Sequence, residues 1–161
     1  MTGLNQTEIR ALEEALDDEY RAWATYDQVI TDFGDVRPFS NIREAEARHI
    51  EALHRLFTAY ALPIPSNPWP GRVERYASIQ QACEAGVAAE IENGQLYDRL
   101  LAATDRSDLL AVFRNLQQAS QQRHLEAFRR CAHRGSDAGG CAGRGRGRRR
   151  GISAGRSGPR S

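Results

Sequence analysis

The sequence predicts an all-α protein, an antiparallel bundle of four helices with one long crossover between the second and third helices. Three observations indicate this fold. Four segments of about 22 to 28 residues carry apolar residues at helical spacing and few helix breakers. Two of the three links are short, so the helices they join are antiparallel neighbours. The remaining link, of 16 residues, contains four prolines and reads as an extended chain.

The first helix is expected over residues 6–33. Asn5, with Glu8 three residues later, has the pattern of a capping box at its start, and Gly34 follows its last apolar residue. Spacings of three and four place the following residues on one stripe: Ile9, Leu12, Leu16, Glu19, Trp23, Tyr26, Ile30 and Phe33. Glu19 is the one carboxylate on this stripe.

The second helix is expected over residues 39–60, and its stripe carries an acid and a histidine. The stripe consists of Phe39, Ile42, Glu46, His49, Leu53, Leu56 and Tyr60. Four prolines between residues 63 and 70 then exclude helix from the connection at 61–76. Such an extended chain spans up to about 50 Å, enough to run the whole length of the bundle. We therefore expect the second pair of helices to begin at the same end as the first pair.

Two further helices are expected over residues 77–103 and 108–133, joined by the tight turn TDRSD. The third helix has the stripe Ile79, Cys83, Gly86, Glu90, Asn93, Tyr97 and Leu100. The fourth helix has the stripe Leu110, Phe113, Gln117, Gln121, His124 and Phe128. Both stripes again mix polar side chains with apolar ones.

The second half of the chain repeats the polar pattern of the first. EARHIEAL aligns with QQRHLEAF, and EYRAWATYD aligns with EIENGQLYD, at offsets of 75 and 71 residues. The repeat predicts a pseudo-twofold bundle whose polar stripe residues gather at one level: Glu19, Glu46, His49, Glu90, Gln121 and His124. Each of these groups would be costly to bury alone. A metal ion supplies the counter-charge that makes such a cluster tolerable.

These residues resemble the metal-binding pattern of the ferritin-like superfamily, which includes bacterioferritin, rubrerythrin and related di-iron carboxylate proteins. That pattern has a Glu on each of two helices and Glu-x-x-His on each of the other two. This chain departs from it at Gln121, where the family has Glu. The phrases RPFSNIREAEARHIEAL, LYDRLL and ASQQRHLEAF are more narrowly similar to an uncharacterised ferritin-like domain family of unknown function. The resemblance covers residues 5–133.

The resemblance implies a ferritin-like bundle that binds iron, as one or two ions, or manganese. It further implies an oxidoreductase that uses oxygen or peroxide, in ferrous oxidation or peroxide reduction. Carboxylate and imidazole ligands suit these metals. Because the amide of Gln121 is a poor bridging ligand, one ion, an asymmetric pair and a site without its ion all stay open. Tyr26 and Tyr97 lie one heptad after the acids, where they either donate hydrogen bonds to ligand carboxylates or serve as core aromatics.

Three widely spaced cysteines, Cys83, Cys131 and Cys141, match neither a disulfide framework nor a CxxC metal pattern. We therefore expect reduced thiols that bind no metal, with Cys83 in the core.

Residues 135–161 form a basic tail with seven Arg and one Asp, a net charge of +6, whereas residues 1–134 carry +1 − 6 = −5. The bundle is expected to end at residue 134, because the Gly-rich tail has almost no large apolar residues and should be disordered. Five of its arginines are candidates for nonspecific nucleic-acid contact: Arg144, Arg146, Arg148, Arg149 and Arg150. The alternative function is therefore a metal-free helical module whose tail contacts nucleic acid or a partner.

No apolar run approaches the length of a membrane span, and the N-terminus lacks the apolar core of a signal peptide. We expect a cytoplasmic protein with no membrane partner. Its oligomeric state stays open, with a homodimer as one option.

Overall fold

The structure, a computed structural model, describes residues 3–138, with side chains described to residue 135. It confirms an all-α four-helix bundle. The helices are α1 (Gln6–Phe33), α2 (Phe39–Ala59), α3 (Ile79–Ala102), α4 (Ser107–Ala119) and α5 (Leu125–Ala138). A π-helical segment, Ser120–His124, joins α4 to α5, so these three pieces form one continuous fourth helix. The first three helices begin and end within two residues of the predicted bounds.

The capping box at the start of α1 is present. The Asn5 side chain accepts a hydrogen bond from the backbone N–H of Glu8, and the Glu8 carboxylate accepts one from the backbone N–H of Asn5, each at 2.9 Å. These bonds satisfy two amide donors that a helix start leaves unpaired. Arg106, which precedes α4, forms an ion pair of 3.1 Å with the same carboxylate. The start of α1 is thereby tied to the link between α3 and α4.

The core divides into two apolar clusters, one toward each end of the bundle. One cluster includes Leu12, Leu16, Leu53, Phe57, Tyr97 and Phe113. The other includes Tyr26, Val29, Phe39, Cys83 and Phe128. The largest of these side chains are fully buried. The polar stripe residues fall between the two clusters along every helix.

The long crossover runs the length of the bundle, but the expected direction of the second helical pair is wrong. Two residues after the end of α3, Thr104 donates a hydrogen bond of 2.9 Å to Glu8, which lies at the start of α1. Nearer the beginning of α3, Glu90 accepts a bond from Tyr26 in the second half of α1. Helix α3 is therefore antiparallel to α1 and begins beside its end. The reason is geometric: α2 returns the chain to the end where α1 began, so a crossover of full length delivers α3 to the opposite end.

The fourth helix differs most from its predicted form. Before the π-helical segment the core-facing residues include Leu109, Phe113 and Leu116, rather than the expected Leu110 and Gln117, and Ser120 is buried at the start of the segment. His124 is buried at the end of the segment, and Leu125, Phe128 and Cys131 are buried after it. The wider π turn accommodates one extra residue, so a stripe drawn with uniform helical spacing matches only the second half. The helix also continues to Ala138, beyond the expected boundary at residue 134.

The expectation of reduced thiols is wrong for two of the three cysteines. Cys83 on α3 and Cys131 on α5 form a disulfide, with their Cα atoms 5.9 Å apart. Both residues lie in the same apolar cluster. Their pairing depends on how α3 and α5 face each other, which cysteine spacing along the chain does not reveal. Cys141 lies outside the described residues.

The rest of the expected tail lies outside the part of the chain that the structure describes. This applies to its predicted disorder and to the candidate nucleic-acid contacts Arg144, Arg146, Arg148, Arg149 and Arg150. Within residues 3–138, no helix combines the length and the apolar character needed to cross a membrane.

Candidate metal centre

Five of the six expected ligand side chains lie together in the middle of the bundle. Glu19 comes from α1, Glu46 and His49 from α2, and Glu90 from α3, while His124 is the last residue of the π-helical segment. The three carboxylates are only 2 to 3% exposed, and His124 is 4% exposed. Because an apolar cluster packs on each side of this level, helix packing holds the five side chains in place.

The five residues form two triads that share Glu46. In the first triad, the His49 Nδ1 atom lies 3.1 Å from Glu19 Oε2 and 2.8 Å from Glu46 Oε2. In the second triad, the His124 Nδ1 atom lies 3.1 Å from Glu46 Oε1 and 3.6 Å from Glu90 Oε1. The candidate ligand atoms of each triad lie within 4.8 Å of one another. Each triad therefore offers two carboxylates and one imidazole to a common point.

The sixth expected ligand, Gln121, does not join either triad. Its amide donates a hydrogen bond of 2.6 Å to the backbone carbonyl of Glu90 and packs against Gly94. A Cβ atom at Gly94 would lie 2.6 Å from the Gln121 amide nitrogen, so this glycine makes room for that side chain. Gln121 supports α3 from outside the cluster.

Ser120 occupies the position that the repeat assigned to Gln121. Its hydroxyl donates a hydrogen bond to Glu90 Oε2, and the residue is 3% exposed. In a regular helix Gln121 would face the core three residues before His124, but the π turn moves the preceding core-facing position back to Ser120. The apolar pattern contains the signal for this shift, since Leu109 and Leu116 fit Phe128 on one stripe only if an extra residue lies between them.

Two tyrosines orient the carboxylates that lie on the opposite helix. Tyr97 donates a hydrogen bond of 2.6 Å to Glu19 Oε1, and Tyr26 donates one of 3.0 Å to Glu90 Oε1. Both tyrosines are buried, at 0% and 3% exposure. Each phenol occupies one oxygen of its carboxylate and leaves the other for the triad or for Ser120. Each of the two helices thus provides a tyrosine that bonds to the glutamate of the other, and this reciprocal pairing follows the pseudo-twofold pattern of the sequence repeat.

The charges of the cluster are strongly coupled. Burial and the nearby Glu46 charge raise the pKa of Glu19 well above its usual range. Burial also disfavours the charged form of Glu46, but the imidazoles of His124 and His49 beside it outweigh burial and hold the pKa of Glu46 below its usual range. Burial alone would lower the pKa of each histidine, yet the carboxylates raise it to about 10 for His49 and about 9 for His124.

The donor set fits a metal ion. Among the described residues, Glu19, Glu46 and Glu90 form ion pairs only with the two histidines. His124 Nδ1 is buried without a well-formed hydrogen bond, although oxygens of Glu46 and Glu90 lie 3.1 Å and 3.6 Å from it. A buried nitrogen that converges with carboxylate oxygens, without bonding to them, has the arrangement of a ligand atom. Oxygen and imidazole ligands in this ratio suit iron or manganese.

The nearby pair Glu51 and His54 has the same spacing as Glu46 and His49 but a different environment. Glu51 is exposed and forms an ion pair of 2.5 Å with Arg55. His54 accepts or donates a hydrogen bond of 2.7 Å with the hydroxyl of Tyr20. The spacing alone therefore does not make a site, and the buried face of α2 distinguishes the two pairs.

Fold and site together define an all-α four-helix bundle with a buried cluster of three carboxylates and two histidines. No protein-family model and no curated protein matches the chain. Among solved structures, the fold is similar to the crystal structure of a hypothetical protein from Methanococcus jannaschii DSM 2661, with a TM-score of 0.75. The sequences are 22% identical, and the match covers 84% of this chain and 85% of that one. At this identity the likeness shows the shared fold.

Proposed function

We propose that the buried cluster binds one or two ions of iron or manganese, and that the protein is a ferritin-like redox protein. The observation that carries this proposal is the pair of ligand triads that share Glu46, in which, among the described residues, only the two histidines form ion pairs with the three carboxylates. Three carboxylates in such a place require counter-charge, because burial of an uncompensated carboxylate costs several kcal/mol. In the metal-free protein the protons on His49 and His124 supply that charge, and a divalent ion in either triad would replace them.

The residues of the cluster would have different roles in binding an ion. Glu46 lies between the triads and presents one oxygen to each, so it would bridge two ions or serve a single ion in either triad. His49 and His124 contribute the nitrogen ligands. Tyr97 and Tyr26 fix the orientation of the acids from α1 and α3, as hydrogen bonds to ligand carboxylates do in metal sites.

When bound, iron or manganese would supply one-electron redox chemistry, in which ferrous or manganous ions lose electrons to peroxide or oxygen and the oxidant is reduced. The chain restricts access to this chemistry by burying the cluster between two apolar core clusters. Small oxidants can still reach it, because a cleft between α1 and α3 opens onto Glu19, Glu46, His49 and Glu90. This combination of a protected cluster and an open route favours redox chemistry on a small diffusible oxidant.

The test is metal content after anaerobic loading with ferrous or manganous ions, for the original protein and for Glu46→Ala. Because both triads lose a ligand, we expect Glu46→Ala to retain less than a tenth of the metal while its helix content by circular dichroism is preserved. Glu51→Ala is the matched control, since it removes an exposed glutamate from the same helix and should leave metal content unchanged. Full metal loading of Glu46→Ala would show that the assignment is wrong.

Activity is tested second, by peroxide consumption and by oxygen-dependent ferrous oxidation. We expect the loaded protein to accelerate at least one of the two reactions and Glu46→Ala to lose that acceleration. Loaded protein that is inactive in both assays would limit the proposal to metal binding.

A further inference from the structure

A cleft of about 370 Å³ lies between α1 and α3 and is bordered by the crossover at residues 69–76. Its inner end reaches Glu19, Glu46, His49 and Glu90. An occupant of the cleft would therefore lie directly against the buried cluster.

The cleft is much larger than a small oxidant requires. One water molecule occupies about 30 Å³ in the liquid, so the cleft holds the equivalent of about twelve waters. Oxygen, peroxide and a ferrous ion each need one or two such volumes. Pockets that bind organic molecules begin at about 300 Å³. The size of the cleft thus matches a small organic molecule.

One wall of the cleft is apolar, because α3 faces it with small side chains. These residues are Ala82, Ala85, Gly86, Ala88 and Ala89. Opposite them lie Ala22 and Thr25 of α1, with Val73 and Tyr76 of the crossover. Alanine side chains are too short to fill the space that separates α3 from α1 and the crossover, so the cleft stays open.

The border formed by the crossover is fixed in position at two points. The Trp69 indole donates a hydrogen bond of 2.9 Å to Asp17, and the Arg75 guanidinium donates one of 3.0 Å to Asp32. Asp17 and Asp32 lie four turns apart on α1, so the crossover is held on both sides of the cleft. The cleft is therefore a built feature of the fold.

The charge of the side chains that line the cleft determines which organic molecules can bind there. The lining includes six carboxylates, Asp18, Glu19, Glu46, Glu74, Glu90 and Glu92, and three basic side chains, Arg21, Arg72 and His49. Arg21 is already engaged, with Asp18 at 3.1 Å and with the ring of Trp69. An anionic ligand would face this excess of negative charge, whereas a hydrogen-bond donor would find acceptors.

We propose that the cleft binds a small organic molecule with an apolar body and a neutral or cationic end that donates hydrogen bonds, an alcohol or an amine. The apolar body would lie along the alanines of α3, and the polar end would face the buried acids. That this ligand is also a substrate rests on the function proposed above. Its binding requires only the cleft.

The experiment measures binding by isothermal titration calorimetry of three probes with one apolar chain: octan-1-ol, octan-1-amine and octanoate. Each probe occupies about the volume of nine to ten water molecules, which is less than the volume of the cleft. We expect the alcohol and the amine to bind at least tenfold more tightly than octanoate. Salt titration separates the neutral alcohol, whose binding should be insensitive to salt, from general attraction of the amine to an acidic protein.

Variants locate the binding. Ala85→Leu and Ala89→Leu fill the half-buried and the exposed part of the cleft wall, and each should weaken octan-1-ol binding at least tenfold. Ala111→Leu, at an exposed alanine on α4, is the matched control and should bind like the original chain. Thermal denaturation verifies that each variant is folded. If Ala85→Leu does not fold, Ala89→Leu provides the test.

Two kinds of result would overturn the proposal: no binding of the alcohol or amine, or binding that is unchanged in a folded cleft variant. Tighter binding of octanoate would overturn the proposed ligand class. All titrations are done on chelator-treated protein and then on metal-loaded protein. If only the metal proposal fails, the protein will retain no metal but will still bind the alcohol. If only the cleft proposal fails, the protein will retain metal but will not bind the alcohol.

Discussion

Reduction of the Cys83–Cys131 disulfide should destabilise the bundle substantially. The bond connects α3 to α5 beside the aromatic rings of the second apolar cluster, and its two cysteines are 0% and 7% exposed. In the folded protein the helices on both sides are already held by packing, so reduction removes little native structure. The main effect falls on the unfolded chain, which gains conformational freedom when the cross-link is lost.

The magnitude follows from the sequence separation of 48 residues. The chain-entropy relation gives a loss of about 14 cal/mol/K for a loop of this length, or about 4 kcal/mol at 25 °C. In proteins of this size each kcal/mol changes the melting temperature by about 2–4 °C, so the expected decrease is about 8–16 °C. Residual structure in the unfolded chain would reduce this figure.

The measurement compares urea unfolding with and without a phosphine reductant at constant pH. A Cys141→Ser background prevents exchange with the third cysteine, and thiol counting under denaturing conditions verifies that both buried cysteines are reduced. The double variant Cys83→Ala with Cys131→Ala should show a decrease at least as large, since it also removes two buried sulfur atoms. A fully reduced protein with an unchanged unfolding midpoint would refute the reasoning, because the cross-link would then not constrain the unfolded state.

Two further predictions concern the buried cluster. In chelator-treated protein, the carboxylates raise the pKa of His49 to about 10 from an ordinary 6.5, so its stabilising charge is fully present below about pH 6.5 and is lost as the pH rises through 10. The free energy of unfolding from urea titrations should therefore fall between pH 7 and 10, and less so in His49→Gln; equal slopes would contradict the coupling. In metal-binding titrations, Gln121→Ala should retain the original affinity because its amide lies outside the triads, whereas Ser120→Ala should lose about tenfold or more through the lost hydrogen bond to Glu90. The opposite ranking of these two neighbours would restore Gln121 as a ligand.

Periodicity was sufficient to predict most of the fold, because each helix buries one continuous stripe against the others. The first three helices carry uninterrupted three-and-four spacing, and their bounds agree with the structure to within two residues. The crossover followed from its prolines and its length. The direction of the second pair of helices also follows from the crossover length. Because α2 ends where α1 began, a connection of full length places the start of α3 at the opposite end of the bundle.

The errors have a common physical origin, which is the register between helices that are distant in sequence. The π-helical segment inserts one residue into the fourth helix, and this changes which of two adjacent side chains faces Glu90. The alignment of the two halves assumed a regular helix and so selected Gln121 instead of Ser120. The disulfide depends on the register between α3 and α5, which brings Cys131 opposite Cys83.

Because Ser120 is neutral, the cluster has only three carboxylates with which to balance the charge of any ions that it would bind. Glu46 and Glu90 together would neutralise one divalent ion, and Glu19, whose pKa burial and Glu46 raise, would remain protonated beside it. Two divalent ions would require Glu19 to ionise as well and would still leave one positive charge. Hydroxide or another small anion would have to enter through the cleft to compensate it, since the described core offers no further acid within either triad. The number of ions retained per chain therefore also reports whether Glu19 carries a proton, and infrared spectroscopy of the carboxyl stretch in Glu19→Gln and the original protein distinguishes the two cases.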